Sequence, residues 1–144
     1  GSSGDPEKCE RLQDLADHVV EGRDADRLRE QVGAIGPVDA VVNHLGGEYL
    51  QVGMDLLRTG GRMAVCGKTA GGTAELDVGD LYGGQYAIYG STMGTQPDLE
   101  RVVDLTASGA VEPVIDTTYG LDEAGEAFRR LAASEAFGTL VLEP

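Results

Sequence analysis

Apolar positions along this chain switch between helical spacing and short unbroken runs, so helices and buried strands must alternate. Residues 6–15 place Pro6 at a helix start and space Cys9, Leu12 and Leu15 three residues apart. His18-Val19-Val20 reads as a very short strand. Asp24 or Asp26 can cap the next helix, which carries Leu28 and Val32 on one face and breaks at Gly36-Pro37. Val38 to Val42 is a nearly continuous apolar run, the mark of a parallel strand buried on both faces. A turn at 43–47 leads into a helix from Glu48 to about Arg58, which Thr59-Gly60-Gly61 is expected to end.

Residues 62–66 are the next buried strand. Residues 67–85 read as glycine-rich loop with one helical patch near 78–82, and 86–92 is a further strand. Pro97 opens a helix to about Ser108, Val114-Ile115 begins a short extended piece, 121–133 is a helix, and 139–142 closes as a strand. Strands alternating with helices of about ten residues imply βαβ units, right-handed crossovers and a parallel sheet. The expected class is therefore α/β.

Composition narrows the picture. The 144 residues are 41% apolar, which fits a folded domain with a core rather than a disordered chain. No apolar run reaches membrane-spanning length, and no leader-like segment is visible. Two cysteines, Cys9 and Cys66, make no disulfide scaffold, so a reducing cytoplasm is the expected compartment. Neither His18 nor His44 stands in a zinc-ligand frame. Residues 1–4 carry no predicted element and read equally as an expression remnant or a native loop.

The net charge is −14, from 25 acidic and 11 basic residues, and Lys8 and Lys68 are the lysines. Such a surface repels nucleic acid and anionic membranes, so neither is an expected partner. Carboxylate excess also suits a salt-rich cytoplasm, where counterions screen self-repulsion; the other reading is an ordinary acidic protein. Halophilic adaptation requires the melting temperature to climb in molar KCl, and a flat curve would exclude it.

In an open parallel sheet, ligands bind outside the carboxyl ends of the strands. Three segments occupy that position: Asn43-His44-Leu45-Gly46-Gly47, Cys66 to Gly72, and Ser91-Thr92-Met93-Gly94. Each mixes glycines, which admit a ligand to the backbone, with small polar side chains that can orient it. One such segment alone is merely a turn; three at one sheet edge point to a site.

At these residues the chain resembles a known family. The run DAVVNHLGGEYLQVGMDLLRTGGRMAVCG, and the later IYGSTMGTQPDLERVVDL, PVIDTTYGLDEAGEAFRRL and FGTLVLEP, resemble the medium-chain dehydrogenase/reductase superfamily, especially its quinone-oxidoreductase-like branch. The resemblance implies a Rossmann-type cofactor domain over 1–110 that lacks its first βαβ unit. It also implies a return segment over 111–144 that belongs to the catalytic domain. The chain would begin near the end of the second Rossmann strand, and no G-x-G-x-x-G follows a first strand in it.

The resemblance also implies site residues. Lys8 corresponds to the basic residue that meets the adenosine 2′-phosphate of NADPH, although Asp5 and Glu7 stand beside it. Gly22 falls where many members place a side chain against the adenine. Asn43, His44 and Leu45 border the ribose of the nicotinamide half, with His44 expected to position rather than catalyse. Cys66, Gly67 and Lys68, and then Ser91, Thr92 and Met93, pass the nicotinamide with their backbone groups. Three departures stand out: a glycine is missing from 15–18, and residues 117 and 139, often basic, are both threonine.

The implied protein is an NAD(P)-dependent oxidoreductase acting on a small quinone, enone, alcohol or carbonyl, with NADPH preferred to NADH. Zinc is not implied by this segment, although a zinc-dependent alcohol dehydrogenase is the nearest rival. No catalytic residue is assigned. Strand 86–92 is expected to pair two copies into a homodimer. The alternative is a non-catalytic nucleotide-binding or dimerisation module. The 144 residues alone are expected to bind NADPH weakly, because the helix N-terminus that holds pyrophosphate is not among them.

Overall fold

Aspartates set the first helices. In a computed structural model, which describes residues 1–22 and 24–144, helix α1 spans Pro6–Leu12. The Asp5 carboxylate accepts from the N–H groups of Glu7 and Lys8 at 3.0 and 3.4 Å, supplying partners that the first turn lacks. The helix buries Cys9 and stops at Leu12, three residues before the expected end. Leu15 is exposed, so the helical spacing that reaches it meets no packing surface.

Strand β1, Ser2–Ser3, pairs in parallel with β2, Val20–Glu21. Val20 N–H donates to Gly1 O and Gly22 N–H to Ser3 O, at 3.0 and 2.9 Å. Residues 1–4 thus supply a strand that the periodicity does not predict, and the strand expected at 18–20 lies at 20–21. Helix α2, Ala25–Ile35, is capped by Asp24, whose carboxylate accepts from Arg27 N–H at 2.9 Å. Asp26 instead pairs with Arg29, which also reaches Asp55.

Strands β3 (Val38–Asn43), β4 (Leu57–Val65) and β5 (Ala87–Gly90) form a parallel sheet in that order. Helix α3, Tyr49–Leu56, crosses from β3 to β4. It ends before Arg58, and Thr59-Gly60-Gly61 does not cap it. Those residues bulge within β4, where the register jumps from Val38 opposite Leu57 to Ala40 opposite Arg62. Gly60, at φ +74°, donates its N–H to Gly84 O, so the glycine is needed for its backbone but inside a strand. The helical patch is α4, Val78–Gly83, capped by Asp77, and β5 is shorter than the expected 86–92.

Two small cores hold this part together. Val20, Ala25, Leu28 and Val52 form one; Met54, Leu57 and Met63 form the other, with Met54 and Met63 fully buried. Strand β3 is not buried on both faces as its apolar run predicts: Val42 is 75% exposed. The sheets β1–β2 and β3–β4–β5 are separate, and an apolar groove of about 260 Å³ touches Ser2 on one and Val38 and Val42 on the other. Val20 of β2 packs against Leu28 and Val52.

The chain divides into two units, Gly1–Met93 and Gly94–Pro144, a division that counts the helix after Pro97 with the second. That helix, α5, spans Gln96–Ala107 and opens on a capping box between Thr95 and Asp98. Strand β6 (Ile115–Gly120), a single 3₁₀ turn over Leu121–Glu123, helix α6 (Ala124–Ala132) and strand β7 (Thr139–Glu143) follow, with β6 and β7 parallel.

Arg130, in the last turn of α6, ties that helix to β6. Its guanidinium donates to Thr117 Oγ1, Tyr119 OH and Asp116 Oδ1 at 3.0, 2.7 and 3.0 Å. A guanidinium from α6 thus stands beside position 117, where the threonine replaces an expected basic side chain. Asp116 also accepts from Thr117 Oγ1 and from Phe137 N–H, each at 2.7 Å. The Thr117 hydroxyl first, then the Phe137 amide and Arg130, hold its carboxyl down from 3.8 to about 2. A depressed carboxyl stabilises the fold above its unfolded value and loses that contribution as pH falls through the folded one. Acid melts of the wild-type chain should therefore lose stability between about pH 4 and pH 2. Asp116→Asn should lose less in that window; equal acid sensitivity in both proteins would contradict the assignment.

Candidate functional site

Each candidate segment leaves the carboxyl end of a strand of one parallel sheet. The first is keyed by Asn43, 5% exposed at the end of β3. Its Oδ1 accepts from the N–H groups of Leu45 and Gly46, both at 2.9 Å, and its Nδ2 donates to Tyr49 O at 2.9 Å. The loop turns on Gly46 and Gly47, at φ +68° and +53°, where a side chain would strain the backbone. His44 is exposed on the outside of the turn, and Leu45 is half-buried.

The second segment is laced to the first. Cys66 N–H donates to Asn43 O at 2.9 Å, Ala70 N–H to Leu45 O at 2.7 Å and Gly47 N–H to Gly71 O at 3.0 Å. Thr69 Oγ1 reaches His44 O at 3.4 Å, and the Cys66 thiol faces Asn43 O at 3.7 Å. Gly67 lies so close that an added Cβ would collide with the His44 carbonyl oxygen. The two loops thus form one hydrogen-bonded wall.

The third segment continues β5, with Ser91 N–H donating to Val65 O at 2.9 Å. Ser91 and Thr92 share a cleft of about 380 Å³ with Cys66, Gly67 and Lys68. Met93 is almost fully exposed and takes φ +50°. The structure therefore groups Asn43, His44, Leu45, Cys66, Gly67, Lys68, Ser91 and Thr92 around adjoining strand ends. Lys8 lies apart, half-buried in α1 at the end of β1, and lines neither this cleft nor the neighbouring one between Gly46 and Ala74. Thr69, Ala70 and Gly71, inside the second candidate segment but outside the residues assigned to the cofactor, lace the wall. The glycines at 46, 47, 67 and 71 were their only signal, since backbone lacing leaves no mark on side-chain chemistry.

The wall offers backbone carbonyls and amides, an exposed imidazole, a thiol and one ammonium beside a cleft. That donor set fits a planar, neutral ring with an amide substituent, which needs hydrogen bonds and close backbone approach rather than countercharge. The glycines at 46, 47, 67 and 71 serve the contact between the two loops, since an added Cβ at each would meet the backbone of the facing loop. Among the described residues, no three His, Cys, Asp or Glu side chains come together as metal ligands.

Comparison with known proteins places this architecture. A sequence profile of the family described as zinc-binding dehydrogenase matches residues 16–142. The chain is 25% identical to the acryloyl-coenzyme A reductase of Sulfurisphaera tokodaii, over all of its own length and 42% of that protein. It is 33% identical to the spectinabilin polyketide synthase system protein NorB of Streptomyces orinoci, over 87% of itself and 6% of that much longer chain. Among solved structures, the alcohol dehydrogenase of Aeropyrum pernix matches with a TM-score of 0.81 and 28% identity, covering 99% of this chain and 42% of that one. The chain thus spans well under half the length of the relatives it matches. Its parallel sheets flanked by helices are those of the Rossmann-type cofactor domain of these oxidoreductases, and the chain belongs to the zinc-binding dehydrogenase family, within the medium-chain dehydrogenase/reductase superfamily.

Proposed function

We propose that residues 1–144 form the nicotinamide-facing part of an NAD(P)-dependent oxidoreductase, with 111–144 returning to its catalytic domain. The observation that carries this reading is the wall itself: loops 43–47, 66–71 and 91–92 meet at neighbouring ends of parallel strands, laced through their backbones. When bound, the nicotinamide would supply hydride transfer. His44–Leu45 would border its ribose, and Cys66 to Lys68 and Ser91 to Met93 would present backbone groups to the carboxamide side. The protein's part is to orient the ring and to exclude water from one face.

NADPH is preferred in this reading. An acidic side chain after the second Rossmann strand usually meets the free ribose of NAD, but the Asp5 carboxylate is engaged at the start of α1. Lys8, one turn on, would meet the 2′-phosphate. The substrate class we favour is an enone, quinone or enoyl thioester, and the compartment the cytoplasm. Strand β5 ends its sheet, so its open edge favours pairing of two copies.

The test is NADPH and NADH oxidation by the whole protein that carries these residues, with a quinone, crotonyl-coenzyme A and an aldehyde as acceptors, alongside metal analysis. Turnover with the first two and no bound zinc is expected. Turnover of the aldehyde alone with zinc bound would favour the alcohol dehydrogenase alternative. Oxidation of neither nucleotide by any acceptor would favour a non-catalytic module.

A further inference from the structure

We infer that Asn43 is a positioning residue: it sets the cofactor wall from inside the protein. The inference rests on the cofactor reading of the wall. Resemblance alone places Asn43 among the residues that touch the cofactor, but its side chain is buried and turned into the protein. All of its amide chemistry is spent within the loop and its supports. Oδ1 collects the two amides of Leu45 and Gly46. Nδ2 holds the Tyr49 carbonyl in the first turn of α3 and lies 3.9 Å from Met63 Sδ in β4. Its own main-chain carbonyl receives Cys66 N–H, the first residue of the second loop.

Asn43 therefore joins β3, α3 and β4 at the point where both loops begin. The carbonyls of His44 and Leu45 are in turn the acceptors for Thr69 and Ala70, so a shift at 43–45 moves the second loop as well. The position demands a side chain with two acceptor sites on one atom and a donor on the other. An ionised aspartate meets the first need and fails the second, because it turns a charged oxygen toward the Tyr49 carbonyl. A protonated aspartic acid meets both, with its O–H in place of the amide N–H. Burial and the facing Tyr49 carbonyl favour that neutral form and raise its titration, against the two amides, which the acid's carbonyl oxygen still accepts.

Asn43→Asp in the whole protein supplies the test, with the NADPH dissociation constant measured by fluorescence titration at pH 8 and pH 5.5. At pH 8 the variant should bind about tenfold or more weakly than the parent protein, since a shift of about 1 Å in a positioning shell has effects of this order. At pH 5.5 affinity should return to within about threefold of the parent at the same pH. The parent's own profile removes the contributions of His44 beside the loop, Tyr49 on α3 and the Cys66 thiol just after β4. Leu28→Ala, which empties part of the other core, provides a protein of reduced stability whose affinity should not move. Parent-like affinity of Asn43→Asp at pH 8 would overturn the inference, as would a loss that lower pH does not restore or an equal loss in Leu28→Ala. Failure of the parent protein to bind either nucleotide would instead overturn the cofactor reading, and this inference with it.

Discussion

Gly67→Ala should cost the first unit about 3 kcal/mol, a large share of what holds a domain of this size together. The added methyl would fall on the His44 carbonyl oxygen, with the His44 carbonyl carbon and Cα within 2.9 and 3.1 Å. These are backbone atoms and cannot rotate away. Relief requires the two loops to part, which strains the Cys66–Asn43 and Ala70–Leu45 hydrogen bonds. Gly33→Ala is the contrast. Gly33 lies inside α2 with nothing within 4 Å of an added Cβ, so alanine there should stabilise by up to about 1 kcal/mol. Urea denaturation of the two variants beside the parent chain checks both signs. A loss below about 0.5 kcal/mol for Gly67→Ala would mean that the loops are not in contact as described.

Met63→Ala should cost about as much, roughly 2–5 kcal/mol. Met63 is fully buried in β4 and packs in the core with Met54 and Leu57. Its Cε lies under Gly53 of α3, 2.8 Å from where a Cβ there would stand, and its sulfur faces the Asn43 amide. Truncation removes the side chain that fills the space between α3, β3 and β4, and the surrounding backbone cannot close it fully. Met63→Leu keeps most of that volume and should cost less than about 1.5 kcal/mol. Thermal melts of the pair distinguish packing from any special role of the sulfur: near-equal losses would implicate the sulfur rather than the volume.

What the sequence disclosed, and what it did not, follows from where the determining interactions lie. Strands 38–42 and 62–66 announce themselves by their apolar runs, although β3 stands at the edge of its sheet with Val42 exposed. The cap at Asp24, one of two candidate aspartates, is legible because one side chain makes the interaction. Ser2–Ser3 could not be read as a strand: two serines acquire that role only by pairing with Val20–Glu21, and pairing is not local. The helix expected to reach Arg58 ends at Leu56 for a similar reason. Gly60 was correctly marked as a special backbone position, but the partner that fixes it is Gly84, in another segment. Leu15 continues a helical spacing that the chain does not use, since no surface lies against it.

The site was half legible. Glycines at 46, 47, 67 and 71 marked the loops that meet at the strand ends, and the resemblance assigned them a cofactor. It did not disclose that Asn43 faces inward while His44 faces out, because both residues are polar and adjacent. Nor did it disclose the lacing by Thr69 and Ala70, which runs through backbone atoms common to every residue. In the second unit, the Arg130 guanidinium lies beside Thr117, a contact visible only once α6 lies against β6.

The most direct test is amide hydrogen exchange across the whole protein with and without saturating NADPH. The account predicts added protection at 44–47, 66–71 and 91–93, with a weaker effect in the first turn of α1 and none along α2. Protection absent from those three loops in a protein that binds NADPH would contradict it, because the cofactor would then lie against some other surface.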